Sequence, residues 1–281
     1  MKYVSFYRPD SKVVSLGKIE GDNIIELVSS DGKGTDLKAA LSMDILNTLV
    51  DGETYNKEEI QLLPVVVDPG KIFCVGLNYD SHRKEAGRAE AEHPAIFIRF
   101  ADSLIAHGDP IIRPRISTKL DYEGELALVI GKAGRNIPEE EALGHVTGYA
   151  CFNDASIRDW QKHNIQFTPG KNFPGTGAFG PYLITPDEVG NLEEQRVITK
   201  LNDEVLQDQP ISDMIWPVAT LINYISTFSP LSPGDVIVTG TPGGVGFKRT
   251  PPVWMIPGDV VEVSIGTVGT LVNPIQDEEL A

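Results

Sequence analysis

The sequence predicts a mixed, mainly β protein with few helices: a small α+β unit over residues 1–67, then a larger domain over residues 68–281. Three observations carry this. From residue 71 onward, short runs rich in β-branched and aromatic residues ("KIFCVGLNY", "AIFIRFADSLI", "ELALVIG", "VTGYACFND", "DVIVTG", "DVVEVSIG") are separated by Gly, Pro, Asn and Asp. These runs do not alternate with helical patterns, which disfavours a doubly wound parallel sheet or an α/β barrel. The first 65 residues carry alternating runs of their own, "KYVSFYR", "VVSLGKI" and "NIIELVS", and Asp68-Pro69-Gly70 forms a turn at the boundary.

Helices are few. "TDLKAALSMDILNTLVDG" places Leu37, Leu41, Ile45 and Leu49 on one helical face, with Thr35 or Asp36 as N-cap. Two more helices are expected around 138–143 and 213–227. Ser232-Pro-Gly-Asp235 and Ile256-Pro-Gly-Asp259 each launch a strand from a Pro-Gly turn.

Composition narrows the function. Lys plus Arg number 24 against 40 Asp plus Glu, a net charge of −16. That balance opposes phosphate backbones and anionic lipid, so neither nucleic acid nor a membrane surface is an expected partner. An anionic small molecule is compatible if a metal or local cations offset the field. No stretch approaches the roughly 18 apolar residues of a membrane span. "MKYVSFYRPDSK" has no apolar core of the secretory kind, and Cys74 and Cys151 are the only cysteines. A reducing cytoplasm is therefore expected.

"LDYEGELALVIG" carries the chemistry. On a strand, the period of two puts Asp121, Glu123 and Glu125 on one face, with Glu123 and Glu125 roughly 6.6–6.8 Å apart. The run Leu126–Ile130 then heads into a core, where bare charge is expensive. A second acid, Asp154, ends the apolar run "VTGYACFND". The bland alternatives are an acidic solvent-facing strand and an Asx turn or helix cap at Asp154. Convergence on a hard divalent cation (Mg²⁺, Mn²⁺ or Ca²⁺) is the sharper one. No His-Glu-x-x-His or Cys-x-x-Cys supports zinc.

Taken together, "LDYEGELALVIG", "CFNDASIRDWQ", "TPGKNFPGTGAFGP" and "GDVIVTGTPGGVG" resemble the fumarylacetoacetate hydrolase family over roughly residues 70–275. The resemblance implies a β-roll core, a smaller N-terminal domain, a homodimer, and Mg²⁺ or Mn²⁺ held by Glu123, Glu125 and Asp154. Asp121 falls just outside that set. In "GLNYDSHRKEAG", His82 and Glu85 match a catalytic His-x-x-Glu pair on a short lid helix. Arg158 and Gln161 match substrate-reaching residues, Lys171 an active-site lysine, and Thr241 a residue holding a substrate carboxylate. Without the resemblance, these positions read as solvated helix faces and loops. Arg99 stands where many members carry Lys, and is expected to bind a substrate carboxylate. No role carries over to Thr176.

The function so implied is metal-dependent hydrolysis of a C–C bond in a 2,4-dioxo acid. The alternative is decarboxylation of an oxo acid or isomerisation of a 2-hydroxydienoate on the same site. A catalytically silent binding protein is the reading from another class.

Overall fold

The apolar runs become strands of two main sheets in a computed structural model that describes residues 1–9 and 11–279. The larger sheet is mixed. Its order is Val50–Asn56, Asn23–Val28, Val14–Glu20, Lys2–Tyr7, Gly177–Ile184, Val146–Asp154, Gly124–Ile130, Val236–Val238, Ile72–Gly76 and Ala95–Arg99. Neighbours in this order are antiparallel except Val236–Val238 and Ile72–Gly76, which run parallel; off this order, Leu104–Ile105 also pairs parallel with Gly177–Ile184. The second sheet orders Glu204–Pro210, Arg196–Leu201, Val260–Ile265, Gly269–Asp277 and Ile111–Arg113.

Gly124–Ile130 is buried at every position. Ala127 and Val129 pack among Leu16, Leu37, Leu41 and Phe152. Leu126, Leu128 and Ile130 pack on the other face among Val197, Val261, Val263 and Ile265 of the second sheet. Each such Leu, Val or Ile contributes about 1.5–3 kcal/mol by leaving water. This strand is therefore held from both sides, which makes its N-terminal end a rigid platform.

The described strands among the first sixty residues all belong to the larger sheet. Lys2–Tyr7 lies antiparallel to Gly177–Ile184, with Lys2 opposite Ile184, and so extends the larger sheet. Asp36 caps the helix Leu37–Ser42 by accepting from Ala39 N at 2.8 Å. The helix is shorter than its apolar spacing predicts. Asp44 takes a left-handed φ of 56°, and Ile45 N turns back to Ala40 O at 3.0 Å. Ile45, Leu46 and Leu49 still reach the core from the irregular segment beyond.

The later helix also starts late, at Val218 rather than 213, directly after Pro217. Both Pro-Gly turns form as expected. Gly234 and Gly258 take φ of 83° and 94°, and Asp235 and Asp259 accept from Ser232 N at 2.7 Å and Ile256 N at 2.8 Å. Among the described residues no helix is long and apolar enough to cross a membrane.

Candidate active site

The acidic comb is set by the glycine in its middle. A Cβ on Gly124 would stand 2.0 Å from Thr199 Oγ1, so only glycine lets the second sheet press this closely. Gln207 Oε1 accepts from Gly124 N at 3.0 Å on that side. Glu123 and Glu125 point to the other face. Asn153 Oδ1 accepts from Glu123 N at 3.0 Å, and Asp154 N donates to Glu123 O at 2.9 Å, which brings the end of Val146–Asp154 alongside. Carboxylate oxygens of Glu123, Glu125 and Asp154 lie within 4.8 Å of one another, all buried.

Buried charge of this density needs countercharge. Lys171, on the short turn Thr168–Lys171, reaches both Glu123 and Asp154 with its ammonium and is 1% exposed. Its seat depends on Gly170, where a Cβ would meet Gln161 N at 2.4 Å. Arg158 Nη2 donates to Glu123 Oε1 and Nε to Asp121 Oδ2, both at 2.7 Å. Arg99 Nε bonds Asp154 Oδ1, and Arg99 Nη2 donates to Ala155 O at 2.6 Å.

The balance is uneven. Burial alone would raise the pKa of Glu123, but Arg158, then Lys171 and His82, hold it well below the usual carboxylate range. Burial would lower the Lys171 ammonium, and Asp154 and Glu123 raise it instead. Glu125 accepts from Gly240 N at 2.6 Å and touches no cationic side chain among the described residues. Burial, then the charges of Asp154 and Glu123, push it well above the carboxylate range. A carboxylate left short of positive charge, in an all-oxygen set beside two others, fits a hard divalent cation.

His82 and Glu85 share one face of the helix Asp80–Glu85. His82 Nδ1 is 2.8 Å from Glu85 Oε1, and Nε2 is 4.0 Å from Glu123 Oε1. The glycine-rich loop fixes this helix: Gly244 N donates to Glu85 Oε2 and Gly243 N to Ser81 Oγ, both at 3.0 Å. Because a carboxylate only accepts, Nδ1 carries a proton toward Glu85, and Nε2 is the ring nitrogen that faces the site.

These groups open on a cavity of about 680 Å³ whose walls include His82, Glu123, Glu125, Asp154, Arg158, Gln161, Lys171 and Thr241. Of the residues expected from sequence, eight thus line one space. Glu85 stands behind His82. Arg99 requires a correction: it is wholly buried, does not line the cavity, and engages Asp154, Ala155, Ser103 and Thr176. Its carboxylate partner is Asp154, not a substrate. Thr241 reaches the cavity, but its hydroxyl donates to Gly124 O at 2.9 Å and accepts from Gln207 at 2.8 Å. Gln207 was not visible in the sequence pattern, because it arrives from a distant segment; Phe247 directly follows the motif "GDVIVTGTPGGVG" and lines the cavity beside Thr241. Lys162 had a signal, four residues after Arg158 on the same helical turn.

The fold and the site define an enzyme of small-molecule chemistry, with carboxylates at strand ends, a lysine on a short helical turn and a His–Glu pair on a short helix. Residues 71–276 match the family described as Fumarylacetoacetate (FAA) hydrolase C-terminal. The chain belongs to the fumarylacetoacetate hydrolase family. It is 36% identical to "Oxaloacetate tautomerase fahd2, mitochondrial" of Xenopus laevis over 98% of this chain and 90% of that one. The structure of 2-hydroxyhepta-2,4-diene-1,7-dioate isomerase from Mycobacterium marinum superposes with TM-score 0.81 at 28% identity, covering 100% of both chains. That of fumarylacetoacetate hydrolase from psychrophilic Exiguobacterium antarcticum gives TM-score 0.85 at 33% identity, over 99% of this chain and 100% of that one.

Proposed function

We propose that this protein is a divalent-metal-dependent tautomerase of a small 2-oxo acid, interconverting keto and enol forms. Glu123, Glu125 and Asp154 would hold Mg²⁺ or Mn²⁺. The observation that carries the proposal is His82 Nε2, 4.0 Å from Glu123 Oε1 at the wall of the cavity, with Nδ1 held by Glu85 behind it. The names of the Xenopus and Mycobacterium proteins weigh for enol–keto chemistry over hydrolysis.

A divalent ion supplies Lewis-acid stabilisation of negative charge on the oxo oxygen. The chain's own groups handle the proton. His82 Nε2 takes one from C3 of the keto form, and Glu85 stabilises the imidazolium. The same proton is then delivered to the oxo oxygen, which completes the enol; the reverse order gives the keto form. Lys171 keeps Glu123 and Asp154 fixed and lowers the negative charge around the reacting oxygen.

Hydrolysis of a 2,4-dioxo acid is the second reading, favoured by the Exiguobacterium neighbour's name. It needs the same imidazole to activate water. His82→Ala tests the proposal. Ketonisation of enol-oxaloacetate, followed by ultraviolet absorbance with Mg²⁺ present, should slow by about 10²–10⁴-fold, the worth of a positioned base. An unchanged rate would remove His82 from the mechanism. The homodimer implied by the family belongs to the same proposal, and light scattering should return twice the 30.6 kDa chain mass.

A further inference from the structure

The floor of the cavity is acidic, and its rim is not. Lys162 Nζ and Lys248 Nζ lie 5.4 and 5.1 Å from the centre of the Phe247 ring, and the Arg158 guanidinium lies 4.3 Å from it. All four residues line the cavity. Arg158 is already committed to Asp121, Glu123 and Gln161. Lys162 and Lys248 have no carboxylate within ion-pair distance among the described residues. In a chain of net charge −16, two unmatched ammonium groups around one ring call for a reason.

An isolated exposed lysine is ordinarily just solvated, but this pair is built. The lysines come from different elements, one after the turn Arg158–Gln161 and one ending Gly246–Lys248. Both elements are tied at their base to the same buried carboxylate. Asp121 Oδ2 accepts from Arg158 Nε at 2.7 Å and from Phe247 N at 3.1 Å, and Oδ1 accepts from Gly246 N at 2.8 Å. Phe247 then spaces the ammonium groups through cation–π contact.

We propose that Lys162 and Lys248 take the carboxylate at the far end of the substrate, which makes the site selective for 2-oxo dicarboxylic acids. This rests on the preceding proposal, which places the 2-oxo acid head at the carboxylate floor. The chemistry follows from charge placement. A dianion meets a repulsive field from the molecule as a whole, and two cations at the mouth offset it locally and orient the far end. Phe247 offers an apolar face to the carbon chain between the two ends.

The test is binding of 2-oxoglutarate and of 2-oxopentanoate, which share a chain length and differ by one carboxylate. Calorimetry on the Mg²⁺-loaded protein compares wild type with Lys162→Gln, Lys248→Gln and the double variant. Wild type should bind the diacid about tenfold more tightly, the worth of one charge-assisted contact. The double variant should lose that preference, with far less change for the monoacid. Equal weakening of both acids, no preference in wild type, or no binding of either would overturn the proposal. Ketonisation of enol-oxaloacetate, measured separately, distinguishes the two readings. A diacid preference that depends on the lysines, in a protein without tautomerase activity, keeps this subsite and removes the reaction. Activity without the preference does the reverse.

Discussion

Arg99 shows how neighbours assign a residue its work. An arginine on "AIFIRFADSLI" invites a carboxylate, and one is there, but it is the protein's own Asp154. Fully buried, with Ser103, Thr176 and Ala155 occupying its remaining donors, it fixes the orientation of Asp154 from behind. Removing one member of a buried pair and leaving the other uncompensated costs about 3–5 kcal/mol, and because Lys171 still pairs with Asp154 the loss here should fall at the low end. Arg99→Met should therefore lose stability of that order in urea unfolding, and Arg99→Lys clearly less. A loss under about 1 kcal/mol for the Met variant would contradict this role. At this scale the acids were legible, because strand periodicity alone puts Glu123 and Glu125 on one face. Lys171 was not. Read from its neighbours alone, a lysine among Gly and Pro is solvated, and its burial accompanies a close approach of Gly170 to Gln161 that no periodic pattern in the intervening loop signals.

Between elements, the alignment of the carboxylates depends on two sheets meeting at Gly124. Its missing Cβ makes room for Thr199 Oγ1, a buried hydroxyl with no hydrogen-bond partner. Gly124→Ala should destabilise the fold by about 1–3 kcal/mol through overpacking. Thr199→Ala removes the atom in the way and an unsatisfied polar group, so it should cost little. The double variant should recover part of the loss, an interaction that chemical denaturation resolves as a thermodynamic cycle. Strict additivity would show that the contact does not limit the approach. Helix lengths were the least legible part of this scale. The apolar spacing of Leu37, Leu41, Ile45 and Leu49 is helical throughout, yet the chain leaves the helix at Met43 and Asp44. The core accepts Ile45 and Leu49 from an irregular segment equally well.

Across the whole molecule, the mainly β class was legible in the punctuated apolar runs, and the family in four motifs together. The arrangement of the sheets was not, since pairing between residues 2–7 and 177–184 leaves no local trace. That pairing bears on the division at residue 67, which we propose marks a unit in the chain order and not an independent folding unit. Deleting residues 1–67 would uncover the edge of Gly177–Ile184 and the face bearing Ala127, Val129 and Phe152. The truncated chain should aggregate or unfold, judged by circular dichroism and light scattering. A folded, soluble, active 68–281 fragment would show the opposite.

On the proposed function, carboxylates, lysine and imidazole together move a proton on an oxo acid without breaking its carbon chain. Nuclear magnetic resonance of oxaloacetate in deuterium oxide, with Mg²⁺ and catalytic amounts of protein, addresses it directly. The expected result is deuterium entering C3 faster than in the protein-free control, an intact four-carbon skeleton, and loss of the acceleration in His82→Ala. Pyruvate and carbon dioxide formed at a catalytic rate, or no accelerated exchange while a 2,4-dioxo acid is cleaved into two acids, would contradict it.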